Sequence, residues 1–230
     1  MKYLGSKGRI ASKLLPTILK NRKPGQYYVE LFCGGCNMID KVENPRIAAD
    51  VNPLLIAMWE DFQAGREFPS SISRADYDTA YASYKSGYYG VMDMALVCWI
   101  GFNASFRGKF FAGYSGTKTS EHTDKAIANV MRQTGKLNGV EFRCGSYRSV
   151  PIPECSIIYL DPPYRDTTGY RTGAFDHDDF YNFCFELWEQ GHTVFISEYN
   201  MPDPFKEVLS IELSGGIKNS NKAIEKLYTL

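Results

Sequence analysis

Asp161-Pro162-Pro163-Tyr164 is the segment of this chain whose residue types come closest to dictating a chemistry. Two consecutive prolines fix φ and remove two backbone donors, leaving rigid carbonyls beside a carboxylate and an aromatic ring. That set suits an exocyclic amino group such as that of adenine. Such a nitrogen is a poor nucleophile, because its lone pair is delocalised into the ring. The Asp161 carboxylate and the Pro162 carbonyl can each accept one amino hydrogen, and the carboxylate stabilises positive charge as nitrogen attacks a methyl group. Tyr164 would stack on a base flipped out of a duplex, offsetting much of the few kcal/mol that flipping costs. The bland alternative is a proline-rich turn that closes a strand.

Two further segments suit a nucleoside-like cofactor. Glu30 to Asn37 contains Gly34-Gly35, a turn that would let a ligand approach the backbone closely, and Asp50 can accept hydrogen bonds from ribose hydroxyls. Neither is specific alone. The fingerprint G-x-G-x-x-G is absent, and Asp50 is equally a candidate cap for the segment that starts at Pro53. Cys33 and Cys36 form a C-x-x-C pair with no second pair and no nearby histidine, so packing of the glycine loop is preferred over a zinc or redox site, and no metal is expected.

The elements that must position these residues follow from the apolar pattern. Tyr27 to Phe32 reads as a buried strand, and so do Arg46 to Asp50, Val140 to Cys144, Ser156 to Leu160 and Thr193 to Ser197. Helices are expected from Pro53, with Leu54, Leu55, Met58 and Trp59 on one side, and near Asp178 to Gln190. This alternation predicts an α/β sheet with helices on both faces, so the residues just beyond each strand hold the site. Residues 73–136, with the helical spacing of Tyr77, Tyr81 and Tyr84 and the loop Asn103 to Tyr114, read as an insertion. Residues 1–72 and 137–230 then make up the catalytic domain.

Lys plus Arg, 26, equals Asp plus Glu, 26, so overall charge does not favour a nucleic-acid partner. Distribution does. Lys2, Lys7, Arg9, Lys13, Lys20, Arg22 and Lys23 precede the first acid, Glu30, and form either an electrostatic footprint or a solvated helix face. Lys7, Arg9, Arg107, Lys109, Tyr114 and Lys118 are the candidate contacts to double-stranded DNA. With no membrane-length apolar run and no signal-peptide pattern at Met1 to Gly5, a cytoplasmic protein without a membrane partner is expected, most simply a monomer.

Taken in order, these segments resemble the adenine-specific DNA methyltransferases of the DNA adenine methylase type. Lys2 to Lys7 is similar to the family's N-terminal aromatic-x-Gly-Gly-Lys motif, Glu30 to Cys36 to its Phe-x-Gly-x-Gly loop, Asp50 to its strand-end acid, and Asp161 to Tyr164 to its catalytic motif. Arg107 to Phe110 loosely resembles a segment of its recognition region, and Phe195 to Ser197 and Glu225 to Tyr228 are similar to its later strands. The resemblance implies a Rossmann-like methyltransferase sheet with an inserted, mostly helical DNA-recognition region, and S-adenosylmethionine as methyl donor. It implies Asp161, Pro162 and Tyr164 as catalytic residues. Tyr3, Gly5, Lys7, Glu30, Phe32, Gly34, Asp50, Ser146, Tyr147 and Asp161 are implied as cofactor residues. Two positions depart from it: Cys36 replaces the loop's last glycine, and Ser146 stands where aspartate is common, which predicts weaker cofactor binding. A cytosine-N4 methyltransferase and a non-catalytic DNA-binding protein of the same fold are the alternative readings.

Overall fold

The computed structural model describes residues 1, 3, 5–115, 128–165, 175–213 and 224–230, Arg107 by its backbone alone. Strand side chains sort to two faces with the period of two that an extended chain imposes. In β1 (Tyr28–Glu30), Tyr28 enters one buried cluster and Val29 the other. In β4 (Ile157–Leu160), Ile157 and Tyr159 face the first cluster, and Ile158 and Leu160 the second. Both faces are therefore covered, as the near-continuous apolar runs of these strands require.

The remaining strands are β2 (Arg46–Asp50), β3 (Val140–Cys144), β5 (Thr193–Glu198), β6 (Lys206–Glu212) and β7 (Ile224–Thr229). Among the described residues they form one seven-stranded sheet in the order β3-β2-β1-β4-β5-β7-β6. β3, β2, β1, β4 and β5 pair in parallel, and β7 runs antiparallel between β5 and β6. The strand order reverses at β1 and β4, which is where an open sheet of this kind opens a crevice at its carboxyl ends.

The helices are α1 (Ala11–Ile18), α2 (Pro53–Gln63), α3 (Arg74–Ser86), α4 (Met94–Asn103), α5 (128–134) and α6 (His177–Glu189). Proline opens α2, and the Asn52 side chain accepts from Leu54 N. Ser73 and Asp76 form a reciprocal capping box on α3. α1 to α5 pack on one face of the sheet and α6 on the other. The stretch read as an insertion shares its core with the rest: Tyr77, Trp99, Phe111 and Val130 lie in the same buried cluster as Leu14 and Trp59.

The expected strands 46–50 and 140–144 coincide with β2 and β3, and the others differ by a residue or a few at their ends. The sequence pattern did not reveal β6, where Ile211 alone among seven residues is buried. An exposed edge strand carries little apolar alternation.

Candidate active site

The turn after β1 is built around an aromatic ring. Gly34 has φ +44, and a Cβ on Gly34 or Gly35 would come within 2.7 Å of Tyr3. The close approach that these glycines permit is thus made by Tyr3, which also lies 5.5 Å from the Phe102 ring at the end of α4. Cys36 occupies the left-handed region at φ 52, the conformation that glycine, expected there by resemblance, adopts without strain. Both thiols of the C-x-x-C pair are buried and hydrogen-bonded to each other, and their pKa values are raised, which suits packing. Among the described residues, no group of His, Cys, Asp and Glu could hold a metal ion.

Asp50, at the end of β2, accepts from Gly34 N at 2.9 Å through one oxygen and from Asn52 N at 2.9 Å through the other. It ties the glycine turn to the entry of α2. Each oxygen keeps lone-pair capacity for a further donor, so the residue fits the hydroxyls of a ribose. Burial pushes its pKa upward, opposed by those two hydrogen bonds.

Asp161 leaves β4 two strands away, roughly 10 Å across the sheet. Both its oxygens accept from Lys7 Nζ, at 2.8 and 3.0 Å, and the same ammonium lies 3.7 Å from Glu225 and 4.7 Å from the centre of the Tyr164 ring. Tyr164 donates its hydroxyl to Glu225 and meets the Tyr199 ring edge-on at 4.8 Å. Glu198, at the end of β5, accepts from Arg165 N at 3.2 Å and Tyr199 N at 2.7 Å, anchoring the loop that carries Tyr164. Glu30 is buried and accepts from the Tyr28 hydroxyl at 2.9 Å.

These acids share one electrostatic problem. Burial raises the pKa of Glu30 to about 8 and lifts those of Asp161, Glu198 and Glu225, while Lys7 pulls Asp161 and Glu225 back down. The cluster therefore holds acidic capacity beyond what Lys7 neutralises, and it fits a cationic ligand.

The other sequence-predicted residues divide. Phe32 and Tyr147, from the ends of β1 and β3, have ring centres 5.5 Å apart beside Phe175, and Tyr147 donates to Asp179 at 2.6 Å. Ser146 is exposed, with its hydroxyl 3.4 Å from that of Ser149. Gly5 accepts from Lys7 Nζ through its carbonyl at 3.2 Å. Pro162 is buried within the loop that links Asp161 to Tyr164.

Of the candidate DNA contacts, Arg9 and Lys109 are exposed, but Lys7 is buried with Asp161 and so is not part of an exposed phosphate-binding face. Tyr114 is half-buried, with its hydroxyl on the Ile72 carbonyl at 2.9 Å. Arg107 lies in a short 3-10 turn, and Lys118 is outside the described residues. Arg22 leaves the basic footprint too, because its guanidinium donates to the carbonyls of Gln26 and Pro45.

Glu198 and Glu225 are site residues that the sequence reading did not single out. Glu198 directly follows the expected strand Thr193 to Ser197, as Asp161 follows Ser156 to Leu160. Glu225 is the second residue of the antiparallel strand β7, whose opening residues, not its last ones, lie at the carboxyl end of the neighbouring β5.

Residues 3–95 match the family model for D12 class N6 adenine-specific DNA methyltransferases. The match supports an adenine-specific DNA methyltransferase enzyme. It spans Tyr3, Lys7, Glu30, Gly34 and Asp50 but ends before Asp161. No curated protein sequence matches the chain. Among solved structures, the chain is similar to the rRNA methyltransferase aviRa from Streptomyces viridochromogenes at 12% identity and TM-score 0.45, covering 99% of this chain and 86% of that one. It is also similar to SMU.472, named as a methyltransferase and complexed with SAH, at 13% identity and TM-score 0.36, covering 97% of this chain and 52% of that one. Among the described residues, no helix is long and apolar enough to cross a membrane.

Proposed function

We propose that the protein transfers a methyl group from S-adenosylmethionine to the N6 amino group of an adenine flipped out of double-stranded DNA. The carrying observation is Asp161, an ion-paired carboxylate at the end of β4, with the Tyr164 ring held beside it by Glu225 and Tyr199.

The cofactor supplies an electrophilic methyl group on its sulfonium when bound. Asp50 would hold the ribose, Phe32 and Tyr147 would flank the cofactor's adenine, and the acid cluster would favour the cationic centre. Asp161 and the Pro162 carbonyl would accept the two amino hydrogens of the target base, drawing its lone pair out of conjugation. Lys7 opposes the upward pull of burial on Asp161 and so favours its ionised form, the stronger acceptor. The proton released by the methylated nitrogen passes to Asp161 or to solvent. Residues 73–136 would act as the recognition region, with Arg107, Lys109 and Lys118 on the DNA backbone or in a groove.

The direct test is transfer of label from S-adenosylmethionine to unmethylated DNA, followed by nucleoside analysis, with Asp161→Ala beside it. Label in 6-methyladenine that disappears in the variant is expected. Label in a cytosine product, or none from folded protein, overturns the reading. Replacing Arg107 or Lys109 should lower the slope of log affinity against log salt by about one unit each, or relax sequence preference.

A further inference from the structure

In the turn after β1, the backbone carbonyls of Gly34, Gly35 and Cys36 are each taken by a helix side chain. Trp59 of α2 donates to Gly34 O at 3.0 Å, and Gln133 of α5 donates to both Gly35 O and Cys36 O at 2.9 Å. Gln133 also accepts from the amino group of Met1 through its amide oxygen. It is only 5% exposed, and in α5 Val130 is the only other buried residue. A short helix that docks through one valine and one glutamine gains little from burial of a polar amide, which is costly unless satisfied. The satisfied partners here are two peptides of one turn.

That turn needs holding. Cys36 is left-handed without being glycine, a conformation strained for a residue that carries a Cβ. Gly34 N must stay aimed at Asp50, the acid proposed to hold the ribose. We propose that Gln133 is a positioning residue for the cofactor: its amide clamps the Gly35 and Cys36 carbonyls, fixing the glycine turn and, through Gly34 N, the Asp50 carboxylate. The proposal rests on the S-adenosylmethionine reading for what the turn positions. The clamp itself rests on geometry alone. A turn held in advance binds its ligand without an ordering penalty, so loss of the clamp weakens binding more than it slows the chemical step.

The test uses Gln133→Met, which keeps length and removes the donors, and two readings. Amide hydrogen exchange across 33–37 in the ligand-free protein should accelerate at least tenfold in the variant. Binding of S-adenosylhomocysteine by calorimetry should weaken at least tenfold, and the KM for S-adenosylmethionine should rise similarly, with kcat at saturation within about threefold of wild type. Unchanged exchange, or a lowered melting temperature with unchanged affinity and KM, overturns the proposal. If wild type itself fails to bind S-adenosylhomocysteine, the cofactor reading is what has failed, and the exchange result still decides the clamp. Should Gln133→Met not fold, Gln133→Glu keeps the shape, lacks the donors and gives the same readings.

Discussion

At the scale of residues, Lys7 sets the working pH of the centre. Its ammonium opposes the upward pull of burial on Asp161 and Glu225. In Lys7→Met the Asp161 pKa should rise, so the acid limb of the kcat profile should move to higher pH, with activity at neutral pH down tenfold or more. A limb that stays in place would show that Asp161 ionisation does not govern the rate. Glu30 has the opposite problem: burial, only partly offset by the hydrogen bond from Tyr28, raises its pKa to about 8. Its folded pKa lies above the unfolded value, so the folded state binds more protons and stability falls as pH rises from about 4.5 toward 8. The slope from this group is at most about 1.4 kcal/mol per pH unit. Glu30→Gln cannot titrate and should flatten that decline in urea melts taken between pH 6 and 8.

Elements show what the residues lean on. Arg46 is a buried arginine that donates to the carbonyls of Ile39, Lys136 and Asn138 and to Asn44 Oδ1, joining β2 to the segment that returns from α5. Arg46→Met would leave several buried acceptors unmade and should lower stability by about 3 kcal/mol, read as a drop in urea midpoint with unchanged m-value. The sequence pointed to β2 because its apolar run is unbroken after Arg46, and nothing in it marked the arginine as interior. The same contrast runs through the site. Asp50, Asp161 and the glycine turn were legible because each lies at or shortly beyond the carboxyl end of a strand, and strand ends can be read from periodicity. Glu225 and Gln133 were not, since each acts through contact with residues far away in the chain and belongs to an element whose placement no local pattern sets. The close approach allowed by Gly34 and Gly35 was anticipated, but its immediate occupant is Tyr3, a neighbour that the turn alone could not name.

For the whole molecule, the centre draws on distant parts of the chain: Lys7 before β1, Asp161 after β4 and Glu225 at the start of β7. The stretch that matches the D12 class, residues 3–95, contains Lys7 without either of its carboxylate partners. The position of β7 has a consequence for synthesis. β6 leaves the ribosome before β7, yet its place in the sheet is on the far side of β7, so it has no partner strand until residues 224–229 emerge. β5 waits with an unpaired edge for the same residues. Nascent chains should therefore pass through a late interval with two open strand edges, and a chain ending at 223 should remain there. Its expected fate is self-association through those edges, seen as light scattering or as recovery in the pellet, while the full-length chain stays dispersed.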